Sequence, residues 1–180
     1  MAKASVLGAG SWGIALANVL STNGHKVTVW SALKDEITML QTNHEHLTKL
    51  PGVKLPESMI FTDSLQEAMS NKVLLVLAVP SSFVRKTAKD MAEFYQSGQV
   101  VVNVAKGIEE STLMTMTDII SDEIARNGKQ PNVSIFAFTA TPKPTTLQLF
   151  GKVNAKGQRE AFHIYSMKQA IEEGFILDVL

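Results

Sequence analysis

The chain has 180 residues, enough for one domain with a substantial core, and 45% of them are hydrophobic against 19% charged. Its 17 basic and 17 acidic side chains leave no formal net charge, which argues against a dedicated nucleic-acid binder with a basic face. The absence of cysteine excludes disulfides, thiolate zinc sites and cysteine nucleophiles, and no apolar run approaches a membrane span.

The first residues, MAKASVLGAG, pass straight into a strand without the charged, apolar and cleavage regions of a signal peptide, so a cytoplasmic location is expected. That strand, Ala4–Leu7, leads into Gly8-x-Gly10-x-x-Gly13 and then an apolar-periodic helix at about 12–22. Strand, glycine turn and helix in this order form the dinucleotide-binding fingerprint. In it Gly8 permits the tight turn, Gly10 lets backbone approach a pyrophosphate, and Gly13 lets the helix pack close to the sheet. The first free amides of the helix then face the phosphates at the positive end of the dipole.

Asn23-Gly24 closes this helix, and a second strand, Lys26–Trp30, follows. Domains that select NAD commonly place a carboxylate at the end of this strand to accept from the ribose 2′-OH. Here the position holds Trp30-Ser31, with no carboxylate until Asp35 and with Lys34 nearby, which tilts the reading toward NADP or dual use. Lys34 reads more simply as a solvated lysine in the first turn of the next helix, at about 33–45.

Residues 46–62 contain Pro51-Gly52 and Pro56 and read as a loop with one short strand, Met59–Phe61. A short helix at 64–70, a strand at Val73–Val79, a helix at 82–96 and a strand at Val100–Val104 come next. These strands are nearly continuous apolar runs, as parallel strands covered on both faces require. The strand ending in Leu77-Ala78-Val79-Pro80-Ser81-Ser82 is stopped by Pro80, so its loop backbone can lie against a cofactor. Capping of the following helix by Ser81 or Ser82 explains the serines equally well. The next strand ends in Asn103-Val104-Ala105-Lys106-Gly107. A lysine there points into the cleft at the carboxyl edge, where it can bind a phosphate or polarise a carbonyl.

A helix at about 111–126, a loop at Asn127–Pro131 and a strand at Val133–Phe138 continue the alternation. From Pro142 to about residue 160 the sequence is polar and loop-like, and Ala161–Val179 is amphipathic, with a break at Gly174. The pattern predicts an α/β fold, a Rossmann-type doubly wound parallel sheet with an irregular or helical C-terminal extension. The dinucleotide-binding domain is assigned to 1–124, or to 140 if Val133–Phe138 completes the sheet, and 141–180 reads as a tail that is not an independent domain. His25, His44, His46 and His163 have no metal-ligand spacing, so no metal site is expected.

Taken together, GAGSWG at 8–13, VTVW at 27–30, LAVPSS at 77–82 and NVAKGIE at 103–109 resemble the amino-terminal domain of the bacterial NAD(P)-dependent sn-glycerol-3-phosphate dehydrogenases. The resemblance runs from residue 1 to about 124. It implies NAD(P) as cofactor, held by Gly8, Gly10, Ser11, Trp12, Gly13, Pro80 and Lys106, and a small phosphorylated substrate that Lys106 also binds. It implies hydride transfer between nicotinamide and C2 of glycerol 3-phosphate or dihydroxyacetone phosphate. Ala32 stands where the family often has an arginine, and Ile14 where it commonly has threonine.

The family's all-helical substrate domain, with its catalytic lysine, has no counterpart in these residues, so no catalytic residue is assigned. Loss of general acid–base help alone costs about 10²–10⁴-fold, so little or no turnover is expected. Residues from about 125 to 180, including FAFTATPKPTTLQLFG at 136–151 and EAFHIYSMKQAIEEGFILDVL at 160–180, instead resemble an internal stretch of the motor subunit of type I restriction enzymes. In that helicase family the TAT of 139–141 links ATP hydrolysis to DNA translocation. Neither a phosphate-loop lysine nor the acidic motor motif accompanies it. The chain therefore reads as two unrelated segments joined near residue 125, with a non-catalytic nucleotide-binding module or a DNA helicase fragment as the alternatives to an enzyme.

Overall fold

The computed structural model describes residues 1–126, the backbone of 135–137, and residues 152–160. Strands β1 (Lys3–Leu7), β2 (Lys26–Trp30), β3 (Ile60–Thr62), β4 (Leu74–Leu77), β5 (Val100–Asn103) and β6 (Ile135–Ala137) form one sheet in the order β3-β2-β1-β4-β5-β6. Every neighbouring pair is parallel. Helices α1 (Ser11–Thr22), α2 (Lys34–Asn43), α3 (Leu65–Met69), α4 (Ser81–Ala92) and α5 (Met116–Arg126) make the crossovers. This is the doubly wound order expected, and the direction of winding reverses between β1 and β4, the switch point at which such sheets open a crevice.

Side chains alternate across each strand, so the sheet fills two cores. Leu7, Leu75, Leu77 and Val101 turn toward α4 and α5, where they meet Val84, Met91, Ile120 and Ile124. Val6, Val27, Val29 and Val76 turn the other way, toward Ile14 and Ala17 of α1 and Ile37 and Leu40 of α2. Burial on both faces explains the unbroken apolar runs.

The expected strand at Val133–Phe138 is present where it is described: Ile135–Ala137 pairs parallel with Val101–Asn103. Helix ends moved for local reasons. α2 stops at Asn43, short of the expected 45, because His44 turns left-handed (φ +47), so His44 and His46 lie beyond the helix. α4 ends at Ala92, with Glu93 as its C-cap. α5 starts only at Met116, because the side chains of Thr115 and Asp118 accept from each other's backbone N–H at 3.2 Å and fix the first turn there.

The chain divides into two units, Met1–Phe138 and Thr139–Leu180. In the second, a small antiparallel hairpin, β7 (Lys152–Val153) with β8 (Arg159–Glu160), replaces the expected loop. Asn154 makes its turn, its side-chain oxygen accepting from the N–H of Lys156 and of Gln158 at 3.0 Å each. Thr139–Thr141, the amphipathic stretch 161–179 and His163 lie outside the described residues.

Candidate functional site

The carboxyl edge of the sheet brings the glycine turn, Pro80 and the loop bearing Lys106 onto adjacent strands. Backbone bonds carry the ladder past the strand ends. Gly8 N–H donates to Trp30 O at 2.9 Å, Ala78 N–H to Leu7 O at 2.8 Å, and Val104 N–H to Leu77 O at 3.1 Å.

The three glycines serve different physical ends. Gly8 has φ +124, and a Cβ there would lie 2.7 Å from the Ala78 carbonyl. A Cβ on Gly13 would sit 1.9 Å from Gly8 O and 3.3 Å from the Ala78 Cβ. These two positions let α1 pack against the turn and the end of β4. Gly10 differs: a Cβ there would meet nothing within 4 Å. Its missing side chain makes no room for protein; it leaves open space beside the start of α1.

That start carries no side-chain cap. Gly10 is the N-cap, and the first intrahelical bond runs from Ile14 N–H to Gly10 O at 2.9 Å. The amides of Ser11, Trp12 and Gly13 therefore have no intrahelical acceptor. α4 begins in the same way, with Pro80 as N-cap and no side-chain hydrogen bond. Capping by Ser81 or Ser82, one of the two readings of those serines, is not realised. A Cβ on Gly107 (φ +110) would lie 3.9 Å from that of Ser81, so the Lys106 loop approaches the first turn of α4. Trp12, Phe83 and Ile108, more than half exposed, add apolar surface along the same edge. Open space over uncapped amides, flanked by apolar side chains and one lysine, suits a pyrophosphate with aromatic rings on either side.

Lys106 is exposed and, among the described residues, has no acidic partner. Its loop is held on both sides. The buried Asn103 accepts from Ala105 N–H at 3.0 Å and donates to Ala105 O at 3.3 Å. On the far side, Arg85 of α4 forks onto Glu109 (Nε–Oε1 2.8 Å, a second nitrogen to Oε2 2.6 Å) and reaches the buried Glu123 of α5 at 2.6 Å. Arg85, with a further hydrogen bond from Thr112, holds the Glu109 carboxyl down to about 2. The two carboxylates in turn raise the Arg85 guanidinium.

At the end of β2, where a ribose acid would stand, a serine faces inward. Ser31 is buried, and its hydroxyl donates to Glu36 at 2.5 Å. Glu36 turns inward, accepting also from Lys49 and from His46 Nε2 at 3.0 Å. His46 Nδ1 accepts from Lys49 N–H at 3.2 Å, which leaves Nε2 as the donor to Glu36. Burial raises the Glu36 pKa, but the hydrogen bonds from Lys49, Ser31 and His46 outweigh it and leave it below the ordinary range. Lys34 stays exposed, 4.0 Å from Asp63.

Sequence reasoning missed Arg85 and the Glu36–His46–Lys49 group, and it placed Asn103 at the strand end without its hold on Ala105. Thr115-x-x-Asp118 is a readable capping pattern that marks where α5 begins, but the ion pairs have no local signature.

Sheet order, glycine turn and uncapped helix starts define a Rossmann-type α/β domain. The chain belongs to the family described as NAD-dependent glycerol-3-phosphate dehydrogenase N-terminus, whose model matches residues 3–136. A glycerol-3-phosphate dehydrogenase (NAD(P)+) of Agathobacter rectalis is 55% identical over 124 residues, covering 69% of this chain and 37% of that protein. One from Fusobacterium nucleatum is 49% identical over 137 residues, covering 76% and 40%. A crystal structure of glycerol-3-phosphate dehydrogenase from Coxiella burnetii superposes with a TM-score of 0.65 at 25% identity, over 68% of this chain and 38% of that one. The chain thus spans about two-fifths of the length of the relatives it matches. Among the described residues no helix is long and apolar enough to cross a membrane.

Proposed function

We propose that these residues are the cofactor-holding part of an NAD(P)-dependent sn-glycerol-3-phosphate dehydrogenase. The observation that carries this reading is Gly10: open space where its side chain would be, at the uncapped start of α1, beside the switch point of the sheet. Gly8 and Gly13 shape the turn, while Gly10 and the amides of Ser11, Trp12 and Gly13 receive the pyrophosphate. Trp12 and Pro80 offer surface to the rest of the dinucleotide. Lys106 supplies a positive charge to the cofactor and to the phosphate of a small phosphorylated substrate. The dinucleotide, when bound, supplies the hydride chemistry.

Cofactor choice follows from the end of β2. With Glu36 turned inward and Lys34 exposed, no carboxylate at Ser31 repels a 2′-phosphate, so NADP is accepted beside NAD. No residue here is assigned to proton transfer, and these 180 residues alone are expected to bind without appreciable turnover. We further propose that residues from about 125 onward derive from a restriction-enzyme motor subunit, on the resemblance of 136–151 and 160–180. The family match runs to residue 136, past a junction near 125, and takes in Ile135 and Phe136 of β6, so a junction that leaves this strand to the family falls after it. A cytoplasmic location goes with this reading.

The test is a fluorescence titration of NADPH, with its oxidation by dihydroxyacetone phosphate followed in parallel. Saturable binding with negligible oxidation is expected. Turnover would return the chain to the full enzyme, and absence of binding would contradict the reading.

A further inference from the structure

Lys106 lies between two anchors on one loop. Asn103 holds Ala105 on its amino-terminal side through both the N–H and the carbonyl. On its carboxyl-terminal side, Ile108 pairs with Thr115 in an antiparallel bridge, and Glu109 N–H donates to Met114 O at 2.9 Å. Leu113 closes this turn at φ +58, its N–H donating to Glu109 O at 2.8 Å. A leucine in the left-handed region persists only where its surroundings hold it there.

The holding comes from outside the loop. Arg85 occupies the second turn of α4 and spends its fork on Glu109, with its remaining nitrogen on Glu123. Glu123 is buried on α5, 38 residues away in sequence, so the guanidinium joins helix, loop and helix at one point. Two parallel charge-assisted bonds fix direction as well as distance, which a lysine could not do. These charges are spent on one another, so their effect on a ligand passes through the loop. We infer that Arg85, through Glu109, is the positioning residue that fixes Lys106 at the carboxyl edge of the sheet.

The inference rests on the reading of Lys106 as a ligand to cofactor and substrate phosphate, and two readouts separate the two ideas. The first needs no ligand. Hydrogen exchange on the full chain is expected to show amides 105–114 opening faster in Glu109→Gln and Arg85→Lys, while α4 and β5 keep their protection. Glu109→Gln leaves the Arg85–Glu123 pair in place, so it remains informative if Arg85 variants fold poorly. Unchanged exchange at 105–114 overturns the inference, whether or not NADPH binds.

The second readout is a double-mutant cycle on NADPH affinity. Glu109→Gln is expected to weaken binding about three- to tenfold in the parent chain and to have no further effect in Lys106→Ala. Equal weakening in both backgrounds overturns the positioning role and leaves cofactor binding standing. A parent chain that does not bind NADPH refutes the functional reading, and the exchange result then decides the inference by itself.

Discussion

Helices α3 and α5 start under a side chain, whereas α1 and α4 do not. Ser64 accepts from Glu67 N–H at 3.3 Å, and Thr115 accepts from Asp118 N–H at 3.2 Å. Gly10 and Pro80 offer nothing comparable to the helices that flank the switch point. α3 and α5 each satisfy one first-turn amide with a side chain; α2, with Leu33 at its N-cap, also lacks such a cap, but only α1 and α4 start beside the switch point, where a ligand anion would lie. The same division runs through the glycines. Gly8 and Gly13 are required by protein packing, and Gly10 by nothing within 4 Å.

The largest break in this comparison is Gly13→Ala. A methyl group 1.9 Å from Gly8 O forces α1 off the turn, and a loss of about 3 kcal/mol or complete failure to fold is expected in urea unfolding. A smaller effect separates the two kinds of helix start. Ser64→Ala, which removes the cap of α3, should cost about 1 kcal/mol with unchanged NADPH affinity. Ser81→Ala, which removes no cap, should leave stability within about 0.5 kcal/mol. A cap-sized loss at Ser81 would erase the distinction.

The smallest expected effect is acid dependence. Glu109 lies at about 2 in the fold, below its ordinary value of 4.5. A depressed carboxyl stabilises the folded state above the unfolded value, and this contribution fades as pH falls from about 4.5 toward 2. Unfolding midpoints followed over that range should fall less steeply in Glu109→Gln. An identical slope would mean that Arg85 does not hold the carboxylate in solution.

The parts of this design that were legible in the sequence are local. β2 was read at its observed bounds, because an apolar β-branched run between Gly24 and a helix start has one interpretation. Gly8, Gly10 and Gly13 were read from spacing and context, and the structure adds that only Gly10 faces open space. The Arg85 clamp joins residues 24 and 38 positions apart, and Glu36 meets His46 across a helix end. Such contacts depend on how α2, α4 and α5 dock, and no periodicity encodes that. An acid in the first turn of α2 looks like an ordinary complement to the helix dipole until the buried His46 is seen beside it.

The central claim is that Gly10 is kept bare for a ligand and not for the fold. Gly10→Ala, compared with the parent chain in urea unfolding and NADPH fluorescence titration, tests it directly. The account predicts stability within about 1 kcal/mol of the parent and NADPH affinity weakened about tenfold or more. A folded Gly10→Ala chain that binds NADPH as tightly as the parent would contradict it.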